Sequence, residues 1–244
     1  MPKHILIVGA GSDMAQAIAR KLAVDDARLT LAARDTRAVE AFAQDLEVRS
    51  QQPVELLKLD VLEFESADQM ATTIDPLPDL VVCAVGYLGD QEKAQSDSQE
   101  ALTIINTNFV GVSALISTVA NRMQKRGSGS LVVIGSVAGD RGRASNYVYG
   151  SAKAGLSAFL SGLRNRLHVH GVHVLEVRPG FVDTSMTANM DLPAALTAQP
   201  DEVADVVVAA IRKKRDIIYV KWFWRWIMLV IRSIPEAVFK RLSL

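Results

Sequence analysis

His4-Ile5-Leu6-Ile7-Val8 runs directly into Gly9-Ala10-Gly11-Ser12-Asp13-Met14-Ala15. The Ile-Leu-Ile-Val run has the length and composition of a strand buried on both faces. The glycines mark a tight turn, and a helix is expected from about 13 to 23. Glycines at such a strand-to-helix turn leave backbone N–H groups and the helix N-terminus free to face a pyrophosphate, so Gly9, Gly11, Ser12 and Met14 are candidate nucleotide contacts. Tight turns need glycine with or without a ligand, so the rest of the chain must carry the argument.

The same unit recurs. Strands are expected near 4–8, 28–33, 54–59, 79–84, 130–135, 172–178 and 216–220, with helices near 13–23, 36–50, 65–74, 98–125, 147–169 and 200–213. Short Val/Ile/Leu runs alternating with amphipathic segments describe one α/β domain with a doubly wound, parallel, seven-stranded sheet. No linker, internal repeat or low-complexity block interrupts the alternation. The helix at 200–213 shows the local logic. Pro200 suits its first position, Asp201 and Glu202 sit at the positive end of its dipole, Arg212 to Arg215 sit at the other, and Val203, Val206, Val207 and Ala210 form its buried stripe. Residues 183–199 have no clear period, and a connection of that length is expected to be a lid or a disordered segment.

Composition narrows the function classes. The chain has 244 residues with 27 basic and 27 acidic side chains, so no net field favours a polyanion and nucleic acid is not an expected partner. A lone Cys83 excludes a disulfide framework and a four-cysteine zinc site, and inside a strand it reads as a small hydrophobe. Met1-Pro2-Lys3-His4 reaches the glycine turn too soon to be a secretory leader, so a cytoplasmic location is expected.

The second strand ends Ala33-Arg34-Asp35. An acid at this strand end meets free ribose hydroxyls and an arginine meets a 2′-phosphate, so Arg34 favours NADP(H) while Asp35 keeps NAD(H) open. Further along, Ser136 follows the fifth strand, Tyr149 lies 13 residues on, and Lys153 is four beyond that. Positions i and i+4 share a helix face, so phenol and ammonium can serve one site. A nearby ammonium is expected to pull the phenol toward the working pH range, and Ser136 would hydrogen-bond a substrate oxygen. Tyr and Lys at this spacing are common on amphipathic helices; the strand-end serine and the upstream turn are what make the set specific.

With these residues in place, the chain resembles the short-chain dehydrogenase/reductases over about residues 4–220. The matching positions are the turn at Gly9, Asp60-Val61 after the third strand, Asn108 within Asn106-Thr107-Asn108-Phe109-Val110-Gly111, Ser136, Tyr149 with Lys153, and Arg178-Pro179-Gly180 after the sixth strand. The resemblance implies a Rossmann sheet of order 3-2-1-4-5-6-7, adenine contacts from Asp60 and Val61, a proton relay through Asn108 and Lys153, a nicotinamide bordered by Pro179 and Gly180, metal-free chemistry and a homo-oligomer. Two stretches depart from the family pattern. Val8, Asp13 and Ala15 replace the threonine and two glycines of the usual turn, and Cys83-Ala84-Val85-Gly86 stands where N-N-A-G is usual. An acid at position 13 is electrostatically wrong for a phosphate contact and is expected instead to cap the first helix. His168, His170 and His173 cluster without an acidic partner at matching spacing and read as surface residues.

The tail differs from the body. Six of the 14 aromatics (Tyr219, Trp222, Phe223, Trp224, Trp226 and Phe239) lie in the last 26 residues, among Lys221, Arg225, Arg232, Lys240 and Arg241. A segment from 221 to 244 is expected to be an amphipathic helical extension of a reductase domain at 1–220. Its apolar run is too short to span a bilayer, but mixed rings and basic groups suit an interfacial helix, with Trp222, Trp224 and Trp226 as peripheral membrane contacts. An interface with another subunit is the alternative. The turn and tail together are similar to reductases that act on decaprenylphosphoryl 2-keto-pentose. The functional expectation is an NADPH-dependent reductase of a ketone, lipid-linked at a membrane surface; a soluble reductase of acyl or other small lipophilic ketones and a non-catalytic nucleotide-binding assembly partner are the alternatives.

Overall fold

Seven of the apolar runs pair in parallel to form one sheet. The computed structural model describes residues 4–24 and 26–242; Met1 to Lys3, on which the reading against a leader partly rests, lie outside it, as do Asp25, Ser243 and Leu244. At the centre, β1 (His4–Val8) pairs with β2 (Arg28–Ala33), Ile5 opposite Leu29, and with β4 (Leu80–Cys83), Ile5 opposite Leu80. Beyond them lie β3 (Val54–Lys58), β5 (Gly129–Ile134), β6 (Val172–Pro179) and β9 (Ile217–Val220), in the order β3-β2-β1-β4-β5-β6-β9. A separate two-stranded ribbon is formed by β7 (Phe181–Val182) and β8 (Thr197–Ala198). The order reverses between β1 and β4, and in doubly wound sheets ligands bind outside the strand ends at such a switch point.

Alternate residues of each strand serve opposite cores, as a pleat requires. Ile5 and Ile7 pack with α1 (Asp13–Leu22), α2 (Glu40–Ser50) and α8 (Pro200–Arg212). Leu6 and Val8 pack with α3 (Phe64–Thr73), α6 (Gly111–Arg126) and α7 (Tyr147–Leu167). The stripe of α8 is rotated from the expected one. Val203, Ala204, Val207 and Val208 are buried while Val206 is exposed, because the helix packs along α1, where Asp205 also reaches Lys21 at 2.7 Å.

The helix expected at 98–125 has internal structure. It comprises α5 (Ser98–Ile105), a π-helical turn at Asn106–Val110 and α6, after a short α4 (Gln91–Ser96). Its 29 residues are long and apolar enough to span a bilayer by length, yet Val112, Leu115, Ile116, Val119, Ala120 and Met123 are buried against the sheet. The π-turn swings Asn108 fully inside; such bulges recur at functional sites. Gly111, just after it, is required by packing, since a Cβ there would collide with the Val61 carbonyl in the loop after β3.

Of the two readings of residues 183–199, a lid or a disordered segment, the structure contradicts the second. A capping box between Thr184 and Thr187 and the β7–β8 pairing satisfy their backbone locally, which sequence periodicity does not report. The tail is helical as expected, with α9 (Trp224–Ser233) and α10 (Glu236–Phe239). It is fastened to the loop after β5. The Arg141 guanidinium donates to the carbonyls of Ile231, Arg232 and Ile234 and to Glu236, and lies 3.8 Å from the Phe239 ring centre.

Candidate active site

The ends of β1, β4, β5 and β6 surround a cavity whose lining includes Ser12, Ser136, Tyr149, Lys153, Gly180 and Trp224. On the β1 side, Gly9 adopts φ +78°, where a side chain is strained, and a Cβ would sit 3.0 Å from the Ala84 and Val85 backbone. A Cβ on Gly11 would meet nothing within 4 Å, so its backbone faces open space. Ser12 is the N-cap residue of α1 but forms no side-chain cap, which leaves its hydroxyl to the cavity it shares with Met14.

Asp13 does not cap that helix. Its carboxylate accepts hydrogen bonds from the Ser185 N–H (2.8 Å) and Ser185 Oγ (2.9 Å), tying the 183–199 segment across the crevice. The charge of Asp13 is thereby directed at two donors of the 183–199 segment.

At the end of β2, Arg34 is exposed and pairs with no carboxylate among the described residues. Asp35 is engaged instead by Arg37, which donates from Nε and Nη2 at 3.1 Å each and holds the carboxyl below its ordinary range. Sequence reading passed over Arg37. After β3, Val61 is buried and Asp60 accepts from the Leu62 N–H at 2.9 Å.

Ser136, two residues beyond β5, is extended, and its Oγ accepts from the Ala138 N–H at 3.1 Å. Tyr149 shares the same cavity lining, and the Ser136 hydroxyl acts to lower the phenol's pKa. One turn beyond Tyr149, Lys153 is buried with Nζ donating to the Ile134 carbonyl at 3.2 Å and lying 5.7 Å from the Tyr149 ring centre. The expected lowering of the phenol is not what results. Burial pushes Tyr149 up to about 12, against a smaller opposing effect of Ser136, and pushes Lys153 down to about 8. Burial of the phenolate outweighs a cation that is turned to a carbonyl. The result is a phenol that keeps its proton.

The Asn108 side chain is spent on the backbone. Its Nδ2 donates to the Tyr87 and Ile104 carbonyls at 2.6 and 2.8 Å, and its Oδ1 accepts from the Tyr87 N–H at 3.2 Å. Asn108 thereby pins the segment after β4, and a Cβ on Gly86 would approach both Asn108 Oδ1 (3.5 Å) and Lys153 Nζ (3.9 Å). Pro179 and Gly180 border the cavity at the end of β6.

Trp224 corrects the reading of the tail. It is buried, donates Nε1–H to the Leu196 carbonyl at 3.3 Å, and meets Phe181 edge-on with centroids 5.5 Å apart. The indole lies so close over Gly180 that any side chain there would collide with it. Trp224 is a cavity wall rather than a membrane contact. Met186 and Met190 of the 183–199 segment complete the apolar side, and neither these nor Arg143 stood out in the sequence.

Of the histidines, His170 meets Gln124 and His173 Nε2 meets the Arg215 carbonyl. No group of three metal-ligating side chains is assembled among the described residues. Cys83 is buried, which pushes its thiol up and keeps it protonated.

Comparison with known proteins places this arrangement. The sequence model described as short chain dehydrogenase matches residues 3–194. An uncharacterized oxidoreductase of Mycobacterium tuberculosis (strain ATCC 25618 / H37Rv) is 36% identical over 242 residues, covering 98% of this chain and 96% of its own. An NADP-dependent 3-hydroxy acid dehydrogenase of Schizosaccharomyces pombe is 29% identical over 234 residues, covering 88% and 89%. Among solved structures, a short-chain dehydrogenase from Sphingobium yanoikuyae in complex with NADPH superimposes with a TM-score of 0.82 at 23% identity, covering 96% and 97%.

Proposed function

This chain belongs to the short-chain dehydrogenase/reductase family, and on that premise we propose that it is an NADPH-dependent reductase of a ketone. The observation that carries the reading is the convergence of Ser136, Tyr149 and Lys153 on one wall of the cavity at the sheet's switch point. The residues around the crevice fit a dinucleotide: the Gly9 turn offers backbone donors, Gly11 faces open space, and Arg34 is an uncommitted cation where a 2′-phosphate would lie. When bound, the cofactor supplies hydride to the carbonyl carbon. Ser136 holds the carbonyl oxygen by hydrogen bond. Tyr149, protonated through neutrality, donates its phenolic proton to that oxygen as charge develops. Lys153 contributes positive charge beside the phenol, and Asn108 fixes the segment facing Lys153.

The name of the Schizosaccharomyces pombe relative supports NADP over NAD, as does the engagement of Asp35 by Arg37. We expect NADPH consumption on ketone addition, with kcat/KM for NADPH exceeding that for NADH. In Arg34→Asp the ratio should fall roughly 10- to 100-fold, the worth of a charge-assisted hydrogen bond. Absence of NADPH binding in a millimolar calorimetric titration would defeat the reductase reading.

A polyprenyl-linked keto sugar at a membrane surface is the finer reading, supported by the outer face of the tail. Trp222, Trp226, Leu229 and Val230 are exposed there beside Arg225 and Arg232, a mixture suited to anionic headgroups. Full-length protein is expected to co-sediment with vesicles containing anionic lipid, and Trp222→Ser/Trp226→Ser/Val230→Ser to lose most of that partition. Equal partition of both proteins, or a stable dimer abolished by the same changes, would assign the face to a second copy of the chain instead.

A further inference from the structure

Among the described residues, the cavity lining has two cationic side chains and no carboxylate. Lys153 is accounted for by the Ile134 carbonyl and the phenol beside it. Arg143, on the loop between β5 and α7, is not. It is half-buried, its Nε is shielded from solvent with no hydrogen-bond partner, and no acidic residue pairs with it among the described residues. Burial alone acts on the guanidinium, lowering its pKa with no opposing charge to raise it.

Other well-shielded arginines here are all committed. Arg178 is held by Glu176, Asp140 and Tyr219, Arg141 by the end of α9 and Glu236, and Arg164 by the Val174 and Asp216 carbonyls. A shielded donor on a charged group is costly to leave unpaired, so a lone one at the edge of a binding cavity marks where a ligand's charge belongs.

We infer that the substrate carries an anionic group, a carboxylate or a phosphate ester, bound by Arg143 while Ser136 and Tyr149 hold its carbonyl oxygen. The inference rests on the reductase reading above and deepens it. A planar guanidinium fork suits either anion, and the apolar wall of Met186, Met190 and Trp224 would cover the carbon skeleton between the two ends.

The test compares a 3-oxo carboxylate, its methyl ester and a keto-alkyl phosphate, each with NADPH, on wild type, Arg143→Gln and Arg143→Lys, with melting curves confirming that the variants fold. Wild type should favour one anion over the ester by roughly 10- to 100-fold in kcat/KM, the choice between carboxylate and phosphate naming its source. Arg143→Gln should collapse that ratio toward one and Arg143→Lys restore part of it. A ratio near one in wild type, a ratio untouched by Arg143→Gln, or a variant whose main defect is a raised KM for NADPH would overturn the inference. If no ketone is turned over, the reductase reading falls separately. Thermal stabilisation by the free 3-oxo carboxylate or keto phosphate, present in wild type and lost in Arg143→Gln, then still decides whether Arg143 binds an anion; no stabilisation of wild type overturns it.

Discussion

Replacing Tyr149 with phenylalanine is expected to lower kcat for NADPH-driven ketone reduction by roughly a hundred- to ten-thousand-fold, the range a positioned general acid supplies. Substrate KM should change little, because the ring still fills its place. The protein should also fold normally, because Tyr149 lines the cavity and phenylalanine keeps the ring. The pH dependence has a definite sign. Tyr149, raised to about 12, remains a proton donor throughout the usable range, whereas Lys153, lowered to about 8, is charged below that value and neutral above it. Reduction should therefore be level through neutrality and decline above about pH 8 as Lys153 gives up its proton. The reverse oxidation needs the phenolate and should rise with pH. Initial rates across pH on wild type and Tyr149→Phe check both points, and a variant keeping more than a tenth of wild-type kcat would remove Tyr149 from the role of acid.

Much of this was legible in the sequence because burial on both faces leaves a direct trace there. Ile5 to Val8 and Leu131 to Ile134 are apolar at every position, and such runs locate parallel strands without further information. Tyr149 and Lys153 lie on one helix, where spacing alone brings them together. What stayed hidden are contacts between side chains far apart in the chain. Asp13 meets Ser185, 172 residues away, so a local rule assigned it a cap it does not make. Trp222, Trp224 and Trp226 share one basic, aromatic stretch, so composition alone groups them. Successive helical positions point in different directions, however, and Trp224 is the one turned onto Gly180. The order of residues 183–199 likewise comes from hydrogen bonds between Thr184 and Thr187 and from strand pairing, neither of which has a hydrophobic period. Spacing shows a cation near the phenol but says nothing of how far the phenol is buried or where that cation points, and these decide its pKa.

Glu176→Ala should produce the largest loss of stability of any single change considered for this chain, because it breaks the charged cluster that supports the cavity from behind. Glu176 is buried on β6 and accepts from Arg178 Nε at 2.8 Å and Arg178 Nη2 at 2.9 Å, with the Ser157 hydroxyl donating to the same carboxylate. Arg178 Nη1 in turn reaches Asp140 at 2.8 Å and Tyr219 Oη at 3.0 Å, and the Tyr219 hydroxyl closes the ring on Asp140 at 3.0 Å. The cluster thus joins β6, β9, α7 and the loop after β5. Such a cluster need not be more stable than an apolar replacement of the whole, but removing one member strands the others. The expected cost is about 3–5 kcal/mol, a fall in Tm of roughly 6–20 °C for a chain of this length. Glu176→Gln separates charge from volume. It keeps the shape and should cost less in Tm, but it removes the negative charge that raises Lys153. Lys153 would then lose its proton at a lower pH, and the alkaline decline in reduction should begin earlier than in wild type. Melting curves read the first effect and the pH–rate profile the second. A Glu176→Ala protein that melts within a degree or two of wild type would mean that water or a rearranged Asp140 satisfies Arg178, and a Glu176→Gln profile superimposable on wild type would mean that Lys153 takes no support from this carboxylate.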